Sequence, residues 1–257
     1  MKKLALITGA SVGIGKELAR VHAAAGGDLI ITARRADALN ALKAELEAKY
    51  NTTVHVIALD LGAPGGADAL YEAVAKQGLK PDYLMNNAGF GGHGNHIERT
   101  LADEHAMIDL NIKALVTLCH RFGADMAARG SGKILNVGST AGMMPGPSQA
   151  IYFASKAFVN SFSQALSEEL KPSGVSVTVL VPGPVRTEFF NVAGFAGSAL
   201  AKAGKSAESV AAIGYRAMMK GRLMQFNEAR LEFILTWLAP LSPRRLAMRA
   251  ARRAMAH

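Results

Sequence analysis

Two side chains on one predicted helix have the chemistry for proton transfer. Tyr152 and Lys156 are four residues apart, so a helix places them on the same face, about one turn apart. A nearby ammonium favours the phenolate and lowers the pKa of a tyrosine from its ordinary value of about 10. Tyr152 is therefore a candidate proton donor and acceptor, with Lys156 as the group that tunes it. Many helices contain this pair by chance, so its weight depends on its neighbours.

Other segments suited to a ligand site stand at the ends of predicted strands. Ser139 follows a predicted strand at 134–137 and precedes Tyr152 by thirteen residues, and its hydroxyl could hold the oxygen of a substrate carbonyl. Asn111 lies within a long predicted helix at 103–129. Two more strand ends carry Asn86-Asn87-Ala88-Gly89 and Pro182-Gly183-Pro184, the latter followed by Val185 and Thr187. Because parallel strands end at one edge of a sheet, we expect these segments to share that edge.

A glycine-rich turn follows the first predicted strand. It reads Thr8-Gly9-Ala10-Ser11-Val12-Gly13-Ile14-Gly15 and leads into a predicted helix at 14–25. The glycines allow a tight turn and close approach to a ligand, and the free N–H groups of the helix start attract a pyrophosphate. The spacing differs from the dinucleotide fingerprint Gly-x-Gly-x-x-Gly. The motif alone is compatible with a packing device, but its position favours a cofactor loop.

The end of the second predicted strand carries the pair Arg34 and Arg35. An acidic residue at this place would accept hydrogen bonds from the ribose hydroxyls of NAD. A guanidinium instead matches the 2′-phosphate of NADP. We expect Arg34 to make the main contact and Arg35 to assist, so that NADP(H) is preferred and NAD(H) is possible. The alternative is a pair of ordinary surface arginines.

Short apolar runs alternate with helical patterns through most of the chain. Strands are predicted at 4–7, 29–32, 54–58, 83–85, 134–137 and 175–181, and helices at 14–25, 36–49, 67–77, 103–129 and 151–170. Several strands are apolar on consecutive residues, as expected when both faces of a parallel sheet are covered. The alternation predicts an α/β fold with a doubly wound, Rossmann-type parallel sheet.

A length of 257 residues suits one large α/β domain. We assign 1–227 to a dinucleotide-binding and catalytic domain, with a substrate flap at about 188–220 and a basic helical extension at 228–257. Within the flap, Ser206 should cap a helix at 207–220 that Gly221 ends. A short strand at 223–226 and helices at 228–238 and 244–254 complete the chain.

The net charge of +9 is concentrated near the carboxyl end. Residues 201–257 hold eleven Lys or Arg and three Glu, while 1–200 are nearly neutral. The arginine-rich helix predicted at 244–254 could lie on an anionic membrane or present a solvated face. Nucleic acid is disfavoured because no recognition motif accompanies the arginines. No stretch is apolar enough to span a membrane and no signal peptide is read, so we expect a cytoplasmic protein, with peripheral membrane contact as an option.

Sulfur and histidine give little reason to expect a metal. The single cysteine, Cys119, excludes an internal disulfide and is interpreted as a small buried residue. His93 and His96 are three apart, but no acidic or sulfur ligands accompany them, and no metal site is predicted.

The chain resembles the short-chain dehydrogenase/reductase family, most closely its NADP-preferring reductases. The matching motifs occur in family order over about residues 3–187: Thr8-Gly-Ala-Ser-x-Gly-Ile-Gly15, Asp60-Leu61, Asn86-Asn-Ala-Gly89, Asn111, Ser139, Tyr152-x-x-x-Lys156 and Pro182-Gly183 with Thr187. Each motif is weak alone, and together they are specific.

The resemblance implies hydride transfer between a nicotinamide and a carbonyl carbon. It implies that Tyr152 exchanges a proton with the substrate oxygen, Ser139 hydrogen-bonds that oxygen, Lys156 holds the nicotinamide ribose, and Asn111 supports a proton relay through water. It also implies that Asp60 meets the adenine, Asn87 the adenosine ribose and Thr187 the nicotinamide amide. The full set of implied cofactor contacts is Gly9, Ser11, Gly13, Ile14, Gly15, Arg34, Arg35, Asp60, Leu61, Asn87, Ala88, Gly89, Tyr152, Lys156, Pro182, Gly183, Val185 and Thr187.

One departure weakens the expected cofactor selection. Many NADP-binding relatives carry Arg or Lys where this chain has Val12. Arg34 must then supply most of the preference, and one charged hydrogen bond is worth roughly 1.5–3 kcal/mol.

The substrate is expected to be an apolar carbonyl compound or alcohol, such as a 3-oxoacyl, steroid-like or other ketone. The residues behind this are apolar and lie in the flap or near the catalytic helix: Phe189, Phe190, Val192, Phe195, Met143 and Met144. Phe153 is assigned to the core instead, and the stripe Phe233, Ile234, Trp237 and Leu238 to the core or a subunit contact.

Two questions of class and assembly stay open at this stage. The rival to an enzyme is a non-catalytic dinucleotide-binding sensor or scaffold, which would need no proton donor. The resemblance implies a homodimer or homotetramer, formed through the long helices predicted at 103–129 and 151–170.

Overall fold

A computed structural model describes residues 2–189 and 204–243, together with Arg245, Met248, Arg249 and Arg252. The nine strands in these ranges are β1 (Leu4–Thr8), β2 (Asp28–Ala33), β3 (Val54–Ala58), β4 (Tyr83–Asn86), β5 (Gly132–Val137), β6 (Val175–Val181), β7 (Val185–Arg186), β8 (Lys205–Ser206) and β9 (Met224–Phe226). The seven strands predicted from the sequence are all present within one or two residues at each end.

Eight α-helices occur in the described ranges, and all five of the long predicted patterns lie on them. They are α1 (Gly13–Ala24), α2 (Ala36–Lys49), α3 (Gly66–Lys76), α4 (Leu101–Ile108), α5 (Leu115–Ala128), α6 (Ala150–Leu170), α7 (Ala207–Met219) and α8 (Ala229–Phe233). The expected cap and stop of α7 are confirmed, because the Ser206 side chain accepts a hydrogen bond from the Ser209 N–H and Gly221 has a φ of +63°.

Seven strands form one parallel sheet in the order β3-β2-β1-β4-β5-β6-β9. The order reverses between β1 and β4, which pair through Ala5 with Tyr83 and Ile7 with Met85. In open α/β sheets a ligand crevice forms outside the strand ends at such a reversal. This confirms the doubly wound sheet and places the crevice beside Thr8 and Asn86.

Apolar side chains cover both faces of the sheet. One layer contains Leu18 of α1, Leu39 of α2 and Val210 of α7. The other contains Phe122 of α5 and Val159 of α6. The inner strands β1, β4, β5 and β6 are therefore buried on two sides, which explains why their apolar residues are consecutive rather than alternating.

The long helix predicted at 103–129 differs from the expectation in its middle. Between α4 and α5 the chain forms a π-helical stretch, Asp109–Ala114. Such bulges are frequent at functional sites, and this one carries Asn111. The Asn111 side chain accepts from the Phe90 N–H at 3.1 Å and donates to the Phe90 carbonyl at 2.9 Å, which anchors the bulge to the segment after β4.

The carboxyl-terminal extension begins as part of the folded body. After α8, a π-helical turn (Ile234–Leu238) and a short 3₁₀ turn (Ala239–Leu241) continue the chain. Leu235 is buried against Val179, Val181 and Phe226. On the outer side Phe233, Trp237, Leu238 and Leu241 are exposed, so most of the predicted apolar stripe lies outside the core of this chain.

Two predicted segments lie partly or largely outside the described residues. Of the flap expected at about 188–220, residues 190–203 are not described, and neither is the helix predicted at 244–254 apart from Arg245, Met248, Arg249 and Arg252. Across the described ranges, no helix has both the length and the apolar character to cross a bilayer.

Candidate active site

The glycine turn between β1 and α1 leaves room that side chains would fill. Gly9 and Gly13 have φ angles of +65° and +57°, a region that residues with a Cβ rarely adopt. A Cβ on Gly15 would collide with the Gly9 carbonyl oxygen and the Asn87 side chain. The turn therefore needs glycine at these positions, and it presents the N-terminal N–H groups of α1 as an anion cradle.

Thr8 and Asn87 hold this cradle against the end of β4. The Thr8 hydroxyl oxygen accepts from the N–H groups of Asn87 and Ala88, each at 3.0 Å. The Asn87 amide donates to the carbonyls of Thr8 at 3.0 Å and Gly9 at 3.2 Å. Asn87 thus helps to shape the loop, and this role is additional to its predicted contact with the adenosine ribose.

One cavity of about 800 Å³ brings the predicted site residues together. It is lined by Gly9, Ser11, Gly13, Ile14, Arg34, Arg35, Asp60, Leu61, Asn87, Ala88, Gly89, Ser139, Tyr152, Lys156, Pro182, Gly183, Val185 and Thr187, among others. Gly15 and Asn111 are the two predicted residues outside the lining; the first packs beneath the loop and the second behind Phe90. The cavity runs from the two arginines at one end to Tyr152 at the other.

The segment after β6 closes one side of this cavity. The Gly183 N–H donates to the Asn227 side-chain oxygen at 2.9 Å, and the Pro182 carbonyl accepts from the Thr140 N–H at 2.9 Å. A Cβ on Gly13 would lie 3.0 Å from the Thr187 methyl group. Thr187 therefore passes directly over the start of α1, where a bound pyrophosphate would lie.

The two arginines have different surroundings. Arg35 donates to the Ser11 hydroxyl at 3.4 Å and to a Glu188 carboxylate oxygen at 3.2 Å. Arg34 is exposed, lines the cavity, and has no ion pair or hydrogen bond with any residue in the described ranges. Its guanidinium is consequently available for a ligand phosphate, whereas Arg35 already has a carboxylate partner.

Asp60 and Leu61 form the floor beside these arginines. The Asp60 carboxylate accepts from the Gly62 N–H at 2.9 Å, which fixes the turn after β3. Leu61 is buried among the side chains of the second core layer. Both line the cavity near Arg34, consistent with a site for an adenine ring.

The catalytic end combines Ser139, Tyr152 and Lys156, all buried. The Ser139 hydroxyl oxygen accepts from the Ala141 N–H at 3.0 Å, and the same hydroxyl forms a hydrogen bond with Tyr152. Lys156 donates to the Val137 carbonyl at 2.9 Å. Two elements therefore supply the set: the turn after β5 carries Ser139, and one face of α6 carries Tyr152 and Lys156.

The pKa values of Tyr152 and Lys156 differ from the sequence-based expectation. Burial raises the pKa of Tyr152 to about 12, against a smaller lowering by its hydrogen bond with Ser139. Burial lowers the pKa of Lys156 to about 8. The predicted lowering of the tyrosine pKa is thus wrong for this arrangement, because removal from water disfavours the phenolate more than neighbouring groups favour it.

Asn111 lies close to this set without lining the cavity. Its amide also donates to the Ser155 hydroxyl at 3.1 Å, which in turn donates to the Tyr152 carbonyl at 2.7 Å. A Cβ on Gly89 would lie 3.0 Å from the Asn111 side-chain oxygen and 3.6 Å from the Lys156 ammonium. The absence of a side chain at Gly89 therefore leaves space beside both polar groups.

Apolar side chains wall the cavity beyond Tyr152. Those described are Phe90, Met144, Phe153, Phe189, Leu231 and Leu235. The rings of Tyr152 and Phe189 are 5.3 Å apart. The prediction that Phe153 packs the core is wrong, because this partly buried side chain lines the cavity.

Leu231 and Leu235 were missed by sequence reasoning. Both belong to the basic helical extension, which we expected to be part of the same domain but not of the active site. Their spacing of four on an apolar helix was the available signal, and they bring the extension into the wall of the substrate end.

The remaining predictions concern sulfur and histidine. Cys119 is buried, as predicted, and accepts from the Asn86 amide at 3.2 Å. His96 pairs with Glu104 at 3.1 Å, and Glu104 also binds Arg99. In the described ranges no three His, Cys, Asp or Glu side chains gather where they could hold a metal.

Comparison with known proteins identifies the family of this chain and several relatives of similar sequence. The sequence pattern of the family described as short chain dehydrogenase matches residues 3–194. The chain is 41% identical to the sulfoacetaldehyde reductase of Chromohalobacter salexigens over 193 residues, which are 74% of this chain and 75% of that protein.

Two solved structures share almost the whole fold. A short-chain dehydrogenase from Sphingobium yanoikuyae in complex with NADPH has 30% identity and a TM-score of 0.85, covering 99% of this chain and 98% of that one. The bulky-bulky ketone specific alcohol dehydrogenase from Comamonas testosteroni has 27% identity and a TM-score of 0.81, covering 99% and 97%. The chain belongs to the short-chain dehydrogenase family and is an oxidoreductase that interconverts CH–OH and C=O groups.

Proposed function

We propose that this protein is an NADP(H)-dependent reductase of apolar, bulky ketones. The observation that carries the proposal is one continuous cavity with Arg34, which has no side-chain partner among the described residues, at one end and Ser139, Tyr152 and Lys156 at the other. The solved relative in complex with NADPH supports the choice of cofactor.

The residues of the cavity fit a dinucleotide with a 2′-phosphate. The glycine cradle provides N–H groups and space for the pyrophosphate, and Arg34 lies where a guanidinium can bind the extra phosphate. Asp60 and Leu61 border the adenine end, and Thr187 and Val185 border the nicotinamide end. When bound there, the cofactor supplies the hydride.

The chain's own residues supply the proton and the orientation. With a pKa of about 12, the Tyr152 phenol keeps its proton at neutral pH and can donate it to the oxygen that becomes the alcohol. When the substrate binds, the Ser139 hydroxyl donates to the same oxygen and fixes its position. Lys156, charged below a pKa of about 8, holds the ribose and favours the phenolate that forms after transfer. Asn111 and Gly89 leave a polar route behind Lys156 for the returning proton.

The substrate end favours an apolar molecule over an anionic one. Among the described residues that line the cavity, the cations are Arg34, Arg35 and Lys156. The two arginines lie at the adenosine end and Lys156 serves the ribose, so none of them is left to bind a sulfonate. The cavity wall therefore suits a bulky apolar ketone better than the small anionic sulfoacetaldehyde. This wall is formed by Phe153, Phe189, Leu231 and Leu235.

The rate of reduction should depend on pH through Lys156. Below about pH 8 both Lys156 and Tyr152 carry their protons, so kcat/KM for the ketone should be constant. Above about pH 8 the ammonium is lost and kcat/KM should fall by up to about 10-fold per pH unit. Alcohol oxidation, which needs the phenolate, should instead increase with pH. Initial rates in both directions, with NADPH affinity measured at each pH as a control for folding, test this; parallel profiles in the two directions would contradict it.

The catalytic residues also bear on the alternative class, a non-catalytic dinucleotide-binding sensor or scaffold. A sensor or scaffold would need no buried proton donor beside a lysine, so the catalytic set disfavours that alternative.

We propose a homo-oligomer that forms through α5 and α6. On α6, the partly exposed ring of Phe158 stacks on the ring of Phe162, with 5.5 Å between the ring centroids. The exposed stripe of Phe233, Trp237 and Leu238 offers a further subunit contact. Contact of the arginine-rich tail with an anionic membrane stays a prediction of the sequence.

The first test is an equilibrium titration of the purified protein with NADPH and NADH, followed by nicotinamide fluorescence. We expect tighter binding of NADPH, and then turnover of long or bulky apolar ketones in preference to short polar ones. Tighter binding of NADH would contradict the assigned cofactor. Preference for short polar carbonyls or sulfonated aldehydes would contradict the assigned substrate.

A further inference from the structure

Asn160 is a buried amide on the side of α6 that carries the catalytic pair. It follows Lys156 by four residues and Tyr152 by eight, so the three side chains lie along one side of the helix. Asn160 is 4% exposed and does not line the cavity. Its amide N–H donates to the main-chain carbonyl of Ser139 at 3.0 Å. The amide therefore joins the catalytic helix to the turn that carries Ser139 without reaching a bound substrate.

The turn after β5 leaves space for this amide on both sides of Ser139. A Cβ on Gly138 would collide with the Asn160 side-chain oxygen. A Cβ on Gly142 would lie 2.6 Å from the Asn160 side-chain nitrogen and 2.5 Å from the Lys156 carbonyl oxygen. The two glycines thus allow the turn to approach α6 closely enough for the amide to bind it.

The two polar atoms of the amide have unequal surroundings. The nitrogen has two acceptors, the Ser139 carbonyl and, at 3.7 Å, the Met143 sulfur, and both belong to the same turn. The oxygen is buried and has no hydrogen-bond partner among the described residues, which is unfavourable for stability. A leucine would fill a similar volume without burying an unpaired oxygen. What the amide adds is therefore its donor group, which binds only the Ser139 turn.

The main chain of Ser139 is held from two sides. Its carbonyl accepts from the Gly142 N–H at 3.0 Å, a bond within the turn, as well as from Asn160. Among the described residues, Asn160 is the one whose side chain bonds the Ser139 main chain. Without this bond the turn loses its tether to α6, and the Ser139 hydroxyl can move relative to Tyr152. A misplacement of about 1 Å at a reacting group can cost about 10²-fold in rate.

We propose that Asn160 is a positioning residue for ketone reduction, which holds the Ser139 hydroxyl at the place where it meets the substrate oxygen. The amide tethers the Ser139 turn to the helix that carries Tyr152, so that the two hydroxyls converge on one oxygen. Asn160 itself contacts neither substrate nor cofactor. This inference rests on the proposed role of Ser139 in the reductase reaction.

The test is a double-mutant cycle between Asn160 and Ser139. Asn160→Leu, Ser139→Ala and the double variant are compared with the wild type by kcat and KM at saturating NADPH. The substrate is decan-5-one, a long apolar ketone, and the affinity for NADPH is measured in every variant as a control for folding. A residue that acts only through the Ser139 hydroxyl has no further effect once that hydroxyl is removed, whereas a general structural role adds to its loss.

We expect the loss in Asn160→Leu to appear in kcat. The turnover number should fall by about 10-fold, the value of one hydrogen bond. KM for the ketone and the affinity for NADPH should stay within about 3-fold, because Ser139 acts on charge that develops in the transition state. Ser139→Ala should lower kcat by about 10²–10³-fold, as the removal of one such donor does. In the Ser139→Ala background, Asn160→Leu should change kcat by less than about 2-fold.

Ser163→Ala is the matched control on the same helix. Ser163 is buried, and its hydroxyl accepts from the Asn136 amide at 3.0 Å and donates to the Val159 carbonyl at 2.6 Å. The substitution therefore removes a buried polar group of α6 that does not hold Ser139, and kcat should stay within about 2-fold of the wild type. A loss as large as that of Asn160→Leu would mean that the helix responds to any lost polar group, which would overturn the specific role of Asn160.

The outcomes separate this inference from the function on which it rests. A wild-type kcat in Asn160→Leu, or a fall of about 10-fold that persists in the Ser139→Ala background, would overturn the role of Asn160 alone. A wild type that binds NADPH but reduces no ketone would overturn the proposed function and the role of Asn160 with it. If Asn160→Leu does not bind NADPH, Asn160→Asp takes its place in the same cycle, because an ionised carboxylate has the size of the amide but cannot donate.

Discussion

Replacement of Tyr152 by phenylalanine should lower the turnover number for ketone reduction by about 10²–10⁴-fold, the usual contribution of a positioned general acid. The reason is geometric. Tyr152 is buried at the end of the cavity beside Ser139, and its high pKa keeps the proton in place until charge develops on the substrate oxygen. Without the phenolic hydroxyl no other described side chain at this end can donate through the same position except Ser139, whose alcohol is a much weaker acid.

The binding of NADPH should survive this substitution with a change of a few-fold, because the glycine cradle and Arg34 lie at the other end of the cavity. Tyr71→Phe is the matched control. Tyr71 loses the same hydroxyl, but its partner is Asp125, away from the cavity, so turnover should be unchanged. Rates at saturating NADPH would be followed by NADPH absorbance. A Tyr152→Phe enzyme within tenfold of the wild type would show that the phenol is not the proton donor.

Sequence patterns were sufficient for the parts of this protein that depend on chain topology. The strands, the doubly wound sheet and the grouping of Ser139, Tyr152, Asn87 and Gly183 follow from one physical fact. Parallel strands joined by right-handed crossovers end at one edge of the sheet. Residues just after strands must therefore meet there, however far apart they are in the sequence.

The features that sequence reasoning missed depend on packing in three dimensions. The pKa of Tyr152 is governed by burial, and burial cannot be predicted from the four-residue spacing to Lys156. Phe153 is adjacent to Tyr152, yet whether it faces the core or the cavity depends on how α6 packs against the sheet. Leu231 and Leu235 come from the basic extension, whose composition did not indicate a place in the site, and their position in the cavity wall follows from contacts with β6 and β9.

Replacement of Arg34 by alanine should weaken NADPH binding by about 10- to 100-fold and change NADH binding by less than about 3-fold. The guanidinium faces the cavity with no partner in the described ranges, so all of its hydrogen-bonding capacity is available to the 2′-phosphate. One charged hydrogen bond contributes roughly 1.5–3 kcal/mol, and each 1.4 kcal/mol corresponds to about 10-fold in affinity. Because Val12 supplies no second cation, few other groups can compensate.

Arg35 is the natural control, since it differs from Arg34 mainly in its partner. A phosphate can engage Arg35 only in competition with Glu188, 3.2 Å away, so Arg35→Ala should weaken NADPH binding by less than about 10-fold. Glu188→Gln should do the opposite and strengthen it by up to about 5-fold, the range of an exposed ion pair, because the carboxylate no longer competes with the phosphate. Fluorescence titrations of the three variants with both cofactors give six affinities. The affinity for NADPH should increase in the order Arg34→Ala, Arg35→Ala, Glu188→Gln, and the affinity for NADH should not follow this order. The same order with NADH would mean that the arginines act through the fold of the loop rather than through the phosphate.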